Sequence, residues 1–222
     1  MGELINKILE ITEKDILEVF GETGSGKTTF AIEVLKEAIE QKMKVIFIDT
    51  ERNLLEKDVK NIPHLNYVYA PSLNDLLSAL DKVLTSKTHY DVLVVDSIGL
   101  PILGWFAKLK LNEKGNALLK MQQILYDLKH YAYEHNTAIL ITNQPESRWM
   151  KPPDHDLRPF GDKAMFFIKE LWKTYKILSN PTRTVCKFVA WRSRRWGRNR
   201  EILTLEIFEE DSQKEVIIKW HI

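Results

Sequence analysis

The residues best suited to chemistry stand together near the start of the chain. Gly21-Glu22-Thr23-Gly24-Ser25-Gly26-Lys27-Thr28, followed at once by Thr29, fits the pattern G-x-x-x-x-G-K-[ST] at every fixed position. Gly21, Gly24 and Gly26 permit backbone angles that turn a row of N–H groups toward phosphate oxygens. Lys27 is placed to reach the β- and γ-phosphates, and the Thr28 hydroxyl to bind Mg²⁺. The stretch predicts a nucleoside triphosphate site spanning Gly21 to Thr29.

Polar residues that end apolar runs supply further candidates. Asp96 closes Asp91-Val92-Leu93-Val94-Val95-Asp96, where a carboxylate can orient the cation that Thr28 helps to hold. Glu51 follows Val45-Ile46-Phe47-Ile48-Asp49-Thr50; if that strand lies next to the P-loop strand, Glu51 could hold the attacking water as general base. Gln144 follows Thr137-Ala138-Ile139-Leu140-Ile141-Thr142-Asn143, where a neutral amide can bond the γ-phosphate or the lytic water. Each residue alone also fits an ordinary solvated turn.

Lys187 to Arg200 carries Lys187, Arg192, Arg194, Arg195, Arg198 and Arg200 without an acid, and interleaves Trp191 and Trp196. Guanidinium forks and indole faces suit nucleic-acid phosphates and bases. They equally suit a neighbouring subunit's nucleotide, and a solvated basic hairpin stays open beside the acids Glu206, Glu209, Glu210 and Asp211. Two further segments mix aromatic and basic residues: Ile98 to Gly115 with Trp105, Phe106, Lys108 and Lys110, and Pro145 to Gly161 with Arg148, Trp149, Lys151, Arg158 and Phe160. Single-strand binding uses such loops, but the aromatics could also fold back on the domain.

These groups need a scaffold, and the chain alternates strand and helix signals as a parallel sheet with crossover helices does. Ile16–Phe20 and the runs ending at Asp49, Asp96 and Thr142 read as strands, with Tyr67–Ala70 as another. Helical spacing covers Thr29–Gln41, Leu73–Leu84 and Asn116–Tyr133. The last quarter reads as strands at Thr174–Leu178, Val185–Trp191, Ile202–Phe208 and Val216–Trp220, an antiparallel extension of the parallel core. The expectation is one α/β domain over 222 residues, a mostly parallel central sheet flanked by helices. Met1 to Asp15 is charged throughout and lacks the apolar core of a signal peptide. No stretch approaches the ~20 apolar residues of a membrane span, and single Cys186 fits a buried strand and a reducing cytoplasm. The histidines show no metal-ligand spacing. A net charge of +1 gives no ground to infer nucleic-acid binding from overall charge; any such binding would need a local basic patch.

Together, Gly21–Thr29, Ile46–Glu51, Leu93–Ser97 and Ile139–Gln144 resemble the RecA/RadA recombinase family, and Met121–Leu125 with Asp127-Leu128 looks like its archaeal RadA pattern. The resemblance is to the core ATPase of RadA paralogs. It implies a RecA-type P-loop core, ATP and Mg²⁺ as occupants, and slow hydrolysis in the service of recombination and DNA repair. It also implies Glu51 as the water-activating base, Lys27 on the phosphates, Gln144 as the γ-phosphate sensor, and the two aromatic-basic segments as DNA-binding loops. Single-stranded DNA, the main recombinase or another paralog, and a second copy of the chain are the implied partners. The chain has no Phe-x-x-Ala docking segment, shows Phe160-Gly161-Asp162-Lys163 where the family carries a Gly-Gly pair, and begins its first core strand near residue 16. Its arginine-rich stretch is similar to the one with which KaiC-type relatives contact nucleotide across a subunit boundary, so a KaiC-like regulatory or motor-associated ATPase is the alternative. A small-molecule kinase or a scaffold without turnover would also use such a P-loop.

Overall fold

The computed structural model describes residues 3–12, 14–54, 62–110, 114–145, 168–210 and 213–222. In chain order its elements are α1 (Glu3–Thr12), β1 (Ile16–Gly21), α2 (Lys27–Glu40), β2 (Val45–Asp49), β3 (Leu65–Tyr69), α3 (Leu73–Thr85), β4 (Val92–Asp96), α4 (Gly99–Phe106), α5 (Lys114–His135), β5 (Ala138–Asn143), β6 (Glu170–Ser179), β7 (Arg183–Arg192), β8 (Glu201–Glu210) and β9 (Gln213–Trp220). The strands form one nine-stranded sheet in the order β3-β2-β4-β5-β1-β6-β7-β8-β9. Pairing is parallel from β3 through β6 and antiparallel from β6 to β9. The expected parallel core with an antiparallel extension is therefore present, and β6 belongs to both.

The central strands β1, β2, β4 and β5 are buried at every position, as continuous apolar runs covered on both faces must be. One face of the sheet packs with α3, α4 and α5, the other with α1 and α2. Helix α3 starts where Ser72 predicts, in a capping box with Asp75: each side chain accepts the other's backbone N–H at 3.2 Å.

Two segments are more ordered than the sequence suggests. Within the charged N-terminus, Leu4, Ile5, Ile8 and Ile11 recur at helical spacing and bury one face of α1. Glu37 of α2 caps that helix by accepting the N–H groups of Leu4 and Ile5 at 3.0 and 3.1 Å. In the first aromatic-basic segment, α4 runs from Gly99 with Pro101 in its first turn, where a missing N–H costs no helical bond. Its Trp105 and Phe106 pack half-buried against the core.

Register decides where the chemistry sits. Asp49 lies level with Asp96, Val95 with Ile141, Phe20 with Asn143 and Gly21 with Thr174. The carboxyl ends of the parallel strands thus deliver their terminal residues to one edge, where open α/β sheets place their sites.

Candidate active site

Gly24 and Gly26 take φ values of +74° and +86°, the left-handed region that favours glycine. Gly21 does not, and its requirement is steric. A Cβ there would stand 2.2 Å from Thr174 Oγ1 and 2.7 Å from the Thr174 carbonyl oxygen. The loop is pressed against β6, with Ser25 Oγ hydrogen-bonded to Thr174 Oγ1. Gly26 rests on β7 and β8, where its Cβ would come within 3.1 Å of Cys186 Sγ and 2.9 Å of Leu205 Cδ2. Cys186 is fully buried there, as its apolar neighbours predict. Helix α2 begins at Gly26 with no side-chain cap, so its positive end and first N–H groups face the loop.

Lys27 Nζ donates to the carbonyls of Gly21 and Glu22 at 2.9 and 3.0 Å, spanning the loop's mouth. Burial lowers its pKa, while Asp96 and Glu51 draw it back up. Thr28 Oγ1 donates to Asp96 Oδ2 at 2.8 Å, joining the two residues assigned to the cation. The other Asp96 oxygen accepts from Thr142 Oγ1, and Asn53 Nδ2 donates to Oδ2 at 3.0 Å. Burial pushes the Asp96 carboxyl up, and these donors hold it down. A hydroxyl and a carboxylate, both hard oxygen donors beside a phosphate loop, fit Mg²⁺.

Glu51 and Gln144 meet across the strand ends. Glu51 Oε1 accepts from Ser97 Oγ at 2.6 Å and from Gln144 Nε2 at 3.2 Å. Ser97 is locked in turn by Thr50, whose hydroxyl donates to the Ser97 carbonyl and accepts its N–H, both at 2.9 Å. Asp49 shapes the turn from inside: Oδ1 accepts the Glu51 N–H at 3.0 Å, and Oδ2 accepts the Leu54 N–H at 3.1 Å and the Tyr67 hydroxyl at 3.0 Å. Burial and the Asp49 charge raise the Tyr67 pKa, so the hydroxyl stays a donor. Asn53, Ser97, Thr142 and Asp49 thus belong to the site although the motif did not single them out. Three of them are small polar residues at or just after strand ends, which is the signal they carry.

Beside the loop lies a cleft of ≈ 430 Å³ lined by Gly21, Glu22, Pro145, Lys173, Tyr175 and Lys176, among others. Pro145 directly follows the sensor Gln144, and beyond it Arg148 and Trp149 lie outside the described residues. Of the first segment, Lys108 caps the end of α4 through its N–H to the Trp105 carbonyl at 2.9 Å.

The arginine-rich turn lies elsewhere. Arg192 pairs with Leu171 on β6, and Leu171 pairs with Glu18 near the start of β1. That is the end of the sheet opposite the P-loop, so this turn does not reach its own chain's Lys27. Arg194 Nη2 contacts Asp15 Oδ2 at 2.8 Å, and Arg195 contacts Glu10 Oε1 at 3.0 Å and its carbonyl at 2.6 Å. Asp15 also holds Lys129 at 2.8 Å. Arg198 lies over the Trp191 ring at 4.2 Å, and Arg200 is exposed at the turn's end.

A family model described as an AAA domain matches residues 14–137, more than half of the 222-residue chain. The chain belongs to the AAA-domain family. Among named proteins, its similarities run to RadB and RecA. The DNA repair and recombination protein RadB of Methanococcus maripaludis strain C5 is 28% identical over 204 residues, which are 87% of this chain and 88% of that protein. Protein RecA of Aquifex aeolicus is 31% identical over 138 residues, 58% of this chain and 39% of RecA. A crystal structure of the RadB recombinase superposes with a TM-score of 0.68 over 96% of both chains at 16% identity, a likeness of fold. The chain is thus a RadB-like member of the RecA/RadA family, and these relatives favour that reading over the KaiC-like one. No helix among its described residues is long and apolar enough to cross a membrane.

Proposed function

We propose that this chain is a slow, Mg²⁺-dependent ATPase that binds single-stranded DNA and assists a principal recombinase in recombination and repair. The observation that carries the proposal is the shared carboxylate oxygen: Glu51 Oε1 is held by Gln144 and by Ser97, the residue next to Asp96 of the Thr28–Asp96 pair. A base, a cation site and an amide that leads into the next loop then occupy one strand-end edge.

In this mechanism the loop N–H groups from Gly21 to Thr29 and the Lys27 ammonium hold the phosphates of ATP. Thr28 and Asp96 hold Mg²⁺, which neutralises developing phosphate charge when bound. Glu51 takes the proton of the attacking water. Gln144 exchanges its bond to Glu51 for the γ-phosphate or the water, and so reports nucleotide state to the segment after Pro145. That segment, with Arg148 and Trp149, and Lys108 at the end of α4 contact the DNA; Trp105 supports them from the core. The turn carrying Arg192, Arg194, Arg195, Arg198 and Arg200 faces the nucleotide of a second copy or a paralog, because its own P-loop lies at the other end of the sheet. The names of the relatives support the process, and the site supports the reaction.

The deciding experiment measures phosphate release with and without single-stranded DNA, alongside sedimentation of the same samples. DNA-stimulated release from an associating species is the expected result. Release indifferent to DNA, without salt-sensitive binding, would sink the DNA role and leave a stand-alone ATPase.

A further inference from the structure

Asn53 stands in the turn after β2, one residue beyond Arg52, which takes a left-handed φ of +59°. Few residues other than glycine adopt that region, and here it folds the turn back over the strand ends. The Asn53 carboxamide nitrogen donates to Asp96 Oδ2 at 3.0 Å and lies 3.4 Å from Thr28 Oγ1. It therefore touches both groups assigned to the cation from a third part of the chain. The turn does not depend on that contact for its shape. Asp49 braces it on either side of Asn53, through the N–H groups of Glu51 and Leu54 at 3.0 and 3.1 Å. The carboxamide is thus delivered to Asp96 by a preformed turn, and the same turn carries Glu51.

We propose that Asn53 is a positioning residue of the Mg²⁺ site, fixing the Asp96 carboxylate for the cation and tying that cation to the turn that holds Glu51. A neutral amide suits the task. It donates to a carboxylate without adding a second negative charge, as an aspartate would. Without it, Asp96 Oδ2 keeps, among the described residues, the Thr28 hydroxyl alone, the group the cation itself needs. Partners that orient a metal-binding carboxylate are worth roughly 10–100-fold in metal affinity. The inference rests on Thr28 and Asp96 as the cation's holders.

The test is Mn²⁺ affinity of the ADP complex, read by electron paramagnetic resonance, together with ADP affinity in EDTA. The full chain is compared with Asn53→Ala, Asn53→Gln and Asp96→Asn. Asn53 is exposed, so its truncation leaves the core intact. Asn53→Ala should weaken Mn²⁺ binding roughly tenfold and leave ADP affinity in EDTA unchanged, and Asn53→Gln should recover part of the loss. Unchanged Mn²⁺ affinity in Asn53→Ala, or an equal loss in EDTA, overturns the role of Asn53 alone. Wild-type Mn²⁺ affinity retained by Asp96→Asn overturns the metal assignment and the inference with it.

Discussion

Gln144 Nε2 donates to Glu51 Oε1 at 3.2 Å, joining the residue after β5 to the turn after β2. Ser97 Oγ reaches the same oxygen at 2.6 Å. Two donors on one oxygen fix the direction of the carboxylate, which is what a base for water requires. Glu51→Gln keeps the shape and removes the basicity. It should retain ATP affinity and lose about 10²–10⁴-fold in turnover. Phosphate release at saturating ATP checks this, and turnover equal to wild type would remove Glu51 from the mechanism.

Gly21 predicts a loss that phosphate binding alone does not explain. Its missing Cβ leaves room for Thr174, whose Oγ1 would otherwise lie at 2.2 Å. Gly21→Ala must push the loop off β6 and break the Ser25–Thr174 bond. Overpacking of this kind costs about 1–3 kcal/mol, so the melting temperature should fall by several degrees even without nucleotide. Gly21→Ala with Thr174→Ser relieves little, because the Thr174 carbonyl oxygen would still stand at 2.7 Å. Thermal melts of both variants decide it; an unshifted melting temperature in Gly21→Ala contradicts the packing.

What the sequence made legible follows from period and from strand ends. Continuous apolar runs marked β1, β2, β4 and β5, and their terminal Gly21, Glu51, Asp96 and Gln144 do converge. Helix α1 was hidden because charges alternate with its buried Leu4, Ile5, Ile8 and Ile11, and composition masks a 3.6-residue period. Helix α4 was hidden by Pro101, a breaker elsewhere but tolerated in a first turn. Asn53 could not be chosen from sequence, since its meaning depends on which strand lies beside β4, and Thr142 carried only the weak signal of a small polar residue at a strand end. The placement of the arginine-rich turn likewise depends on β7 running antiparallel to β6, which sets it beside Asp15 and Glu10.

Asp96 makes metal-free stability depend on pH. Burial raises its pKa, so between the unfolded and folded values the native state binds more protons than the unfolded chain. Its contribution is therefore greatest at acid pH and is lost as pH rises through the folded value. Asp96→Asn cannot ionise, so the difference in stability between variant and wild type should grow in the variant's favour as pH climbs toward neutrality. At this chain length about 1 kcal/mol corresponds to roughly 2–4 °C. Melts in EDTA across pH 4 to 8, on the order of the carboxylate and histidine range, follow the difference; a constant gap between the two proteins refutes it.

Within the chain, Arg195 braces α1 through Glu10 and Arg194 holds Asp15 just before β1, and this separates their local role from any role across a subunit boundary. Asp15 keeps Lys129 when Arg194 is removed, and Glu10 is a mostly exposed partner for Arg195. Partly exposed pairs of this kind contribute about 0–1 kcal/mol each, so Arg194→Ala with Arg195→Ala should lower the melting temperature only slightly. The turn sits at the end of the sheet opposite Lys27, so ATP affinity of the dilute chain should not change. ATPase activity that rises with protein concentration in the wild type should be lost in the double variant, because the neighbouring nucleotide loses its guanidinium partners. Activity measured against concentration, with sedimentation at each point, reads this directly. Weaker ATP binding by the dilute variant would contradict the turn's position in the sheet. A reduced salt slope for single-stranded DNA, with concentration dependence intact, would assign the arginines to phosphates of DNA instead.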